Sequence, residues 1–222
     1  MRPMPLPDPP LLVVTDRRLA EQPLPQVAER LFACGVRWLS LRDKDLPDAE
    51  RVELARALIV RARRWGACVT LHGDPALAAA AGAAGVHLPS GGDPASARAL
   101  LGSGALIGLS CHDSDGAGAM EQGRGQVDYV TLSPILPSAS KPGYGPCLGA
   151  AGLRRWVGRW ANMGVPVIGL GGIDHTGAVA ECRAAGAAGV AVMGLAMRGD
   201  PQALAPLLAA LAPAKTAGLS SG

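Results

Sequence analysis

Residues 164–196 read GVPVIGLGGIDHTGAVAECRAAGAAGVAVMGLA. Positions 165–170 form an apolar run of strand length, and Gly171-Gly172 after it lets the main chain approach a ligand where a Cβ would stand in the way. Positions 176–185 then suit a helix closed by Gly186, with Asp174-His175 as its start. Positions 190–193 read as a second strand, ending in Gly194 ahead of Leu195 and Ala196. Two strand-glycine-helix steps in succession make a parallel unit, and N–H groups exposed beside helix starts form a cradle for phosphate. Gly171, Gly172, Met193 and Gly194 are therefore the candidate phosphate-binding residues. The competing reading is that these glycines only make tight turns.

The same alternation extends back to the start of the chain. Strand-like runs fall at 11–15, 36–41, 68–71, 86–88, 106–109 and 127–132, with helical spacing at 24–34, 49–65, 76–81, 94–101, 114–122 and 151–160, and a last helix at 201–211. Eight repeats in this length predict a single-domain α/β fold, the (β/α)8 or TIM barrel, over a doubly wound sheet. The barrel is expected over residues 11–212. The proline-rich start, MRPMPLPDPP, reads as a flexible leader over 1–10, and residues 213–222 as a flexible tail.

Composition narrows the class of function. With 222 residues, 49% of them apolar, the chain can bury a large core. A formal charge of +3, with no basic run interleaved with aromatics, argues against a nucleic-acid partner. A phosphorylated small molecule suits it. The five cysteines are scattered and lack metal-site spacing, so reduced thiols and a cytoplasmic location are expected. No run of about 18 apolar residues offers a membrane span, and the start does not read as a signal peptide.

In such a barrel, chemistry sits at the carboxyl ends of the strands. Strand two delivers Ser40, Arg42 and Lys44; the last two are two positions apart, so in extended chain they face one side, where both can meet an anion. Pairing of those cations with Asp43 or Asp45 is the alternative. Strand three ends at His72 and strand five at Ser110-Cys111-His112. His112 is the candidate acid/base, since imidazole titrates near neutrality; a hydrogen bond to a loop carbonyl is its plainer role. His87 falls inside a strand and reads as a core histidine. The long segment after strand six offers Ser138, Ser140 and Lys141 to a phosphate or carboxylate, and its glycines and prolines suit a lid. Cys111 beside His112 lacks an orienting third group, which argues against covalent catalysis.

These residues resemble one family along nearly the whole domain. VVTDRR at 13–18, LRDK at 41–44, GVHL at 85–88, IGLSCH at 107–112, DYVTLSPILPSASK at 128–141 and VPVIGLGGI at 165–173 stand in the order of the thiamine phosphate synthase and TenI family, the latter being thiazole tautomerases. The resemblance implies two activities. A synthase joins a pyrimidine pyrophosphate to thiazole phosphate, with magnesium and basic residues holding the departing pyrophosphate. A tautomerase moves a ring proton in a carboxylated thiazole ethyl phosphate without metal.

The motifs divide between the two. Ser40 stands for the usual glutamine and Asp43 for glutamate, while Arg42 and Lys44 remain. His72-Gly73 replaces Asn-Asp, and Pro89-Ser90-Gly91-Gly92 replaces Gly-Gln and a second aspartate. Both magnesium carboxylates implied by the resemblance are thus glycine, with Asp74 or Asp93 as substitutes only if a loop shifts by one residue. These departures lead to the expectation of a tautomerase-like isomerase with no cofactor. In it His112 transfers the proton, and Arg42, Lys44 or Lys141 receives the carboxylate. The alternatives are a magnesium-dependent thiamine phosphate synthase and a non-catalytic thiazole-phosphate-binding regulator. The resemblance also suggests a homodimer.

Overall fold

The computed structural model describes residues 4–113, 118, 121, 123–138, 143 and 145–212. Eight parallel strands close into a barrel in sequence order: β1 (Leu11–Val14), β2 (Trp38–Leu41), β3 (Cys68–His72), β4 (Gly85–Leu88), β5 (Leu106–Cys111), β6 (Tyr129–Leu132), β7 (Val167–Leu170) and β8 (Gly189–Val192). The seam closes with Leu11 opposite Val190 and Val13 opposite Val192. The TIM barrel expected from the sequence is the fold.

Helices wrap the strands: α1 (Leu24–Ala33), α2 (Asp48–Arg63), α3 (Pro75–Ala81), α4 (Pro94–Leu101), α5 (Gly149–Ala161), α6 (Thr176–Ala184), α7 (Gly194–Arg198) and α8 (Ala205–Leu211). In α1 the buried Leu24, Val27, Ala28, Leu31 and Phe32 fall on one face at helical spacing. Asp74, Asp93 and His175 cap α3, α4 and α6 by accepting from backbone N–H groups of the first turn. Two turns escape the sequence reading: a 3-10 turn at Arg17–Leu19, and α7 itself, which follows β8 at once. The helix expected at 114–122 lies, apart from Gly118 and Glu121, outside the described residues, as does the tail at 213–222.

Two apolar layers result. The larger lies between strands and helices; the smaller fills the barrel with Leu12, Val14, Trp38, Leu106, Tyr129, Ile168 and Ala191. Trp38 meets Tyr129 edge to face at 4.6 Å. Gly108 makes this possible, because a Cβ there would collide with the Tyr129 ring and His87. Part of the segment expected as a leader meets the barrel: Met4 and Leu6 pack on the interior cluster, and the Met4 N–H donates to Asp128 at 2.7 Å. Asp128 also accepts from Arg98 and the Ile107 N–H, both at 2.7 Å, so a buried ion pair ties α4 to the start of β6.

Candidate active site

Two cavities open at the carboxyl end of the barrel, and Arg42 lines both. The first, about 390 Å³, is bounded by Gly171, Gly172, Met193 and Gly194, with Ser133, Ser138 and Arg198 on its rim. The second, about 310 Å³, is bounded by Thr15, Asp16, Arg18, Arg42, Asp43, Lys44 and Asp45. Each is of the size of a small-ligand site.

Gly172 has φ +68°, and its missing Cβ makes room for the protein's own chain: an added methyl would meet the Pro137 carbonyl and Leu136. The segment after β6 docks on this turn, its Ile135 and Leu136 N–H groups donating to the carbonyls of Leu170 (2.9 Å) and Gly171 (3.0 Å). Ser138 is thereby carried to the cavity. Ser140 and Lys141 lie outside the described residues.

The second cavity is framed by a buried carboxylate. Asp43 accepts from the Thr15 hydroxyl and the Arg17 N–H, both at 2.6 Å, and lies 3.6 Å from the Arg17 guanidinium. Thr15 Oγ1 in turn accepts from the Arg42 N–H at 2.9 Å. Asp45 takes a two-pronged contact from Arg17, and Asp16 one from Arg18. Arg18 holds the Asp16 carboxyl below its usual range, and Arg17 does the same for Asp45. Asp43 and Asp45 are therefore engaged by Arg17 across the strand ends, and Arg42 and Lys44 flank them on the cavity wall.

Beneath the rim the barrel interior turns polar. His87 sits with Nδ1 2.9 Å from the Tyr129 hydroxyl and Nε2 2.9 Å from Ser110 Oγ and 3.2 Å from Thr131 Oγ1. His72 lies beside it, ring centres 4.7 Å apart. Burial lowers His72 to about 2 and His87 to about 3, helped at His72 by His87, Lys44, Arg42 and Arg51, so both rings are neutral at pH 7. His87 is the core histidine expected. Among the described residues no hydrogen-bond partner meets the buried Ser40 Oγ or His72 Nδ1. Ser40 and His72, expected to face the ligand, are both buried and line neither cavity. Period-two alternation gives the side a residue faces and not its depth.

His112 Nδ1 lies 2.9 Å from the Ser133 carbonyl, to which it donates, and 3.3 Å from Ser133 Oγ. It thus braces a residue of the first cavity's wall. Sequence reasoning missed Arg198, Ser133, Asp174 and the β1 side of the second cavity. For Arg198 no signal existed, since α7 was not expected; for Asp16 and Arg18 the charged end of β1 was visible and unused.

Magnesium, implied by the family resemblance, needs carboxylates after β3 and β4. Gly73 stands after β3 with φ +108°, a conformation that favours glycine over a residue bearing a carboxylate. Asp74 Oδ1 accepts from the Ala76 N–H at 2.7 Å; Asp93 accepts from the N–H groups of Ala95 and Ser96 and from the Ser96 hydroxyl. Both are helix caps, and among the described residues no three His, Cys, Asp or Glu converge to hold an ion. These residues do not fit magnesium by the pattern of the resemblance.

With the geometry in hand, comparison with known proteins decides the family. Residues 11–195 match the family described as thiamine monophosphate synthase. The chain belongs to the thiamine monophosphate synthase family. It is 42% identical over 210 residues to a putative thiamine-phosphate synthase of Geobacter sulfurreducens, covering 93% of this chain and 95% of that one. It is 39% identical over 186 residues to the thiamine-phosphate synthase of Thioalkalivibrio sulfidiphilus, covering 83% and 85%. A thiamine phosphate pyrophosphorylase from Pyrococcus furiosus shares the fold, with a TM-score of 0.74 at 24% identity over 90% of this chain and 96% of that one. These relatives carry the synthase name, and that corrects the expectation of a tautomerase and of an isomerase: the findings favour a transferase of thiamine biosynthesis. His112 stands beside the first cavity through its contact with Ser133. Members of the thiamine monophosphate synthase family act on small phosphorylated heterocycles. No described helix is long and apolar enough to cross a membrane.

Proposed function

We propose that this chain is a thiamine phosphate synthase, coupling hydroxymethylpyrimidine pyrophosphate to thiazole phosphate. The observation that carries the reading is the pair of cavities meeting at Arg42. A two-substrate transfer needs two anions held side by side, and one guanidinium on both walls brings them into register.

In this reading the thiazole phosphate takes the first cavity, its phosphoryl group at Gly171, Gly172, Met193 and Gly194, with Ser138 and Arg198 beside it. The diphosphate takes the second, against Arg18, Arg42 and Lys44. Coupling breaks the bond from the pyrimidine methylene carbon to the diphosphate oxygen, which leaves with the electron pair. The thiazole nitrogen lone pair forms the new C–N bond, so no redox partner or added proton is required. Fixed cations at the leaving group stabilise the charge that develops there without reorganising. Thr15 and Asp43 position the cation-bearing strand end, and His112 positions Ser133.

Ser40 Oγ and His72 Nδ1 lie buried in the polar interior, and neither residue is in the lining of either cavity. Ser110 is held by His87 at the same level. The test is to incubate purified protein with both substrates and follow thiamine phosphate by its oxidised fluorescent derivative and released diphosphate by a coupled assay. Matched formation of both products supports the reading. Absence of both, with folded protein and intact substrates, refutes it.

A further inference from the structure

We infer that Asp113 is a positioning residue for the first cavity: it grips α5 from the end of β5, and so holds in place the stretch after β6 that supplies Ser133, Pro134 and Ser138 to the cavity wall. The identity of the ligand in that cavity rests on the proposed function; the positioning does not.

The stretch is tied at three places. Its first residue is fixed to the end of β5, the Ser133 N–H donating to the Cys111 carbonyl at 3.2 Å and the Ser133 carbonyl accepting from His112. Ile135 and Leu136 are fixed to the turn after β7 by the two backbone bonds already described. The third tie runs to the start of α5, where the N–H groups of Leu148 and Gly149 donate to the carbonyls of Pro134 and Ile135, both at 3.0 Å. Two of these ties lead to barrel strands. The third leads to a helix, so it is only as firm as the seat of that helix.

Asp113 sets the seat. About two turns beyond Gly149, Arg155 and Trp156 both donate to Asp113 Oδ1, the indole at 2.7 Å. Trp156 is 1% exposed, and the Arg159 guanidinium lies over its ring at 5.0 Å. A buried indole N–H with a directed acceptor fixes the rotation of α5 and its place along its own axis, which non-directional apolar contacts leave looser. The Arg155 pair adds less, because both of its side chains are about half exposed. His112 and Asp113, adjacent in sequence, thereby hold both ends of the stretch, one at Ser133 and the other through α5. None of these residues lines the second cavity, whose walls come from the ends of β1 and β2. Loss of Asp113 should therefore act on one ligand and spare the other.

Isothermal titration with thiazole phosphate and, separately, with inorganic diphosphate tests this, joined by KM for each substrate where coupling is seen. Asp113→Ala is expected to bind thiazole phosphate about tenfold more weakly, with diphosphate affinity within about twofold of the parent. Asp113→Asn keeps an oxygen for the indole and should restore affinity, and Arg155→Ala should bind like the parent. Trp156→Phe removes the donor and should reproduce Asp113→Ala, the double variant falling no further. Unchanged thiazole phosphate affinity in folded Asp113→Ala or Trp156→Phe, or an equal loss for both ligands, overturns the inference. Selective loss without coupling under any condition sinks the synthase reading alone; coupling with an unchanged KM in Asp113→Ala sinks this inference alone. A parent that binds neither ligand sinks both.

Discussion

Replacing Asp43 tests whether a buried carboxylate builds the diphosphate cavity. Its side chain is fully buried and accepts two hydrogen bonds of 2.6 Å, from the Thr15 hydroxyl and the Arg17 N–H. Asp43→Ala leaves both donors without that acceptor, and hydrogen bonds to a charged group contribute roughly 1.5–3 kcal/mol each, so about 3–6 kcal/mol is expected to be lost. The Arg17 ion pair adds little, because that guanidinium is one-third exposed and also held by Asp45. Asp43→Asn keeps one carbonyl acceptor but turns an N–H toward a donor; about 1–3 kcal/mol follows. Urea unfolding at pH 7 measures both. Function should follow the same order: Thr15 Oγ1 anchors the Arg42 N–H, so a freed Thr15 loosens the strand end that carries Arg42 and Lys44. Diphosphate affinity is expected to fall about tenfold in Asp43→Asn, with the first cavity's affinity for thiazole phosphate less affected. An Asp43→Ala protein within about 0.5 kcal/mol of the parent, with unchanged diphosphate binding, would refute the reasoning.

Further outcomes follow from the barrel interior and the glycine turn. His72 and His87 are depressed to about 2 and about 3 when folded, so the unfolded chain takes up protons first as pH falls. Stability is therefore complete above the unfolded histidine pKa of about 6.5 and lost below it, by about 1.4 kcal/mol per pH unit for each ring. Unfolding free energies between pH 7.5 and 5 check this, and a flat profile contradicts it. Gly108→Ala drives a methyl into Tyr129 and His87. It should cost about 2–5 kcal/mol, from overpacking and a broken buried hydrogen bond, read from the same denaturation curves. Gly172→Ala displaces the segment docked on the turn through Leu136 and Pro137; KM for thiazole phosphate should rise more than kcat falls, and unaltered kinetics would remove the cradle from the account.

How much of this was legible in the sequence depended on which physical signal each residue carries. Apolar runs of strand length placed all eight strands, and the glycines after the last two placed the Gly171–Gly194 side of the first cavity, because strand length and turn chemistry are local. Arg42 and Lys44 were legible by alternation, and so was the core role of His87. Burial was not: Ser40 and His72 are enclosed by neighbouring strands that sequence alternation does not report. Asp43 reads as a possible partner of its neighbours in sequence, whereas its partners, Thr15 and Arg17, come from the segment just after β1. The function was misread for a related reason. Ser40, Gly73 and the Pro89–Gly92 turn were weighed as the loss of an activity, while similarity over the whole chain points to relatives named as synthases.

The central claim is that one guanidinium joins two anion sites, and titration of Arg42→Gln with each ligand separately tests it most directly. The account predicts that thiazole phosphate and diphosphate each bind about tenfold more weakly, while the folded protein keeps the parent's stability within about 0.5 kcal/mol. Loss of affinity for only one ligand, or for neither, would contradict it.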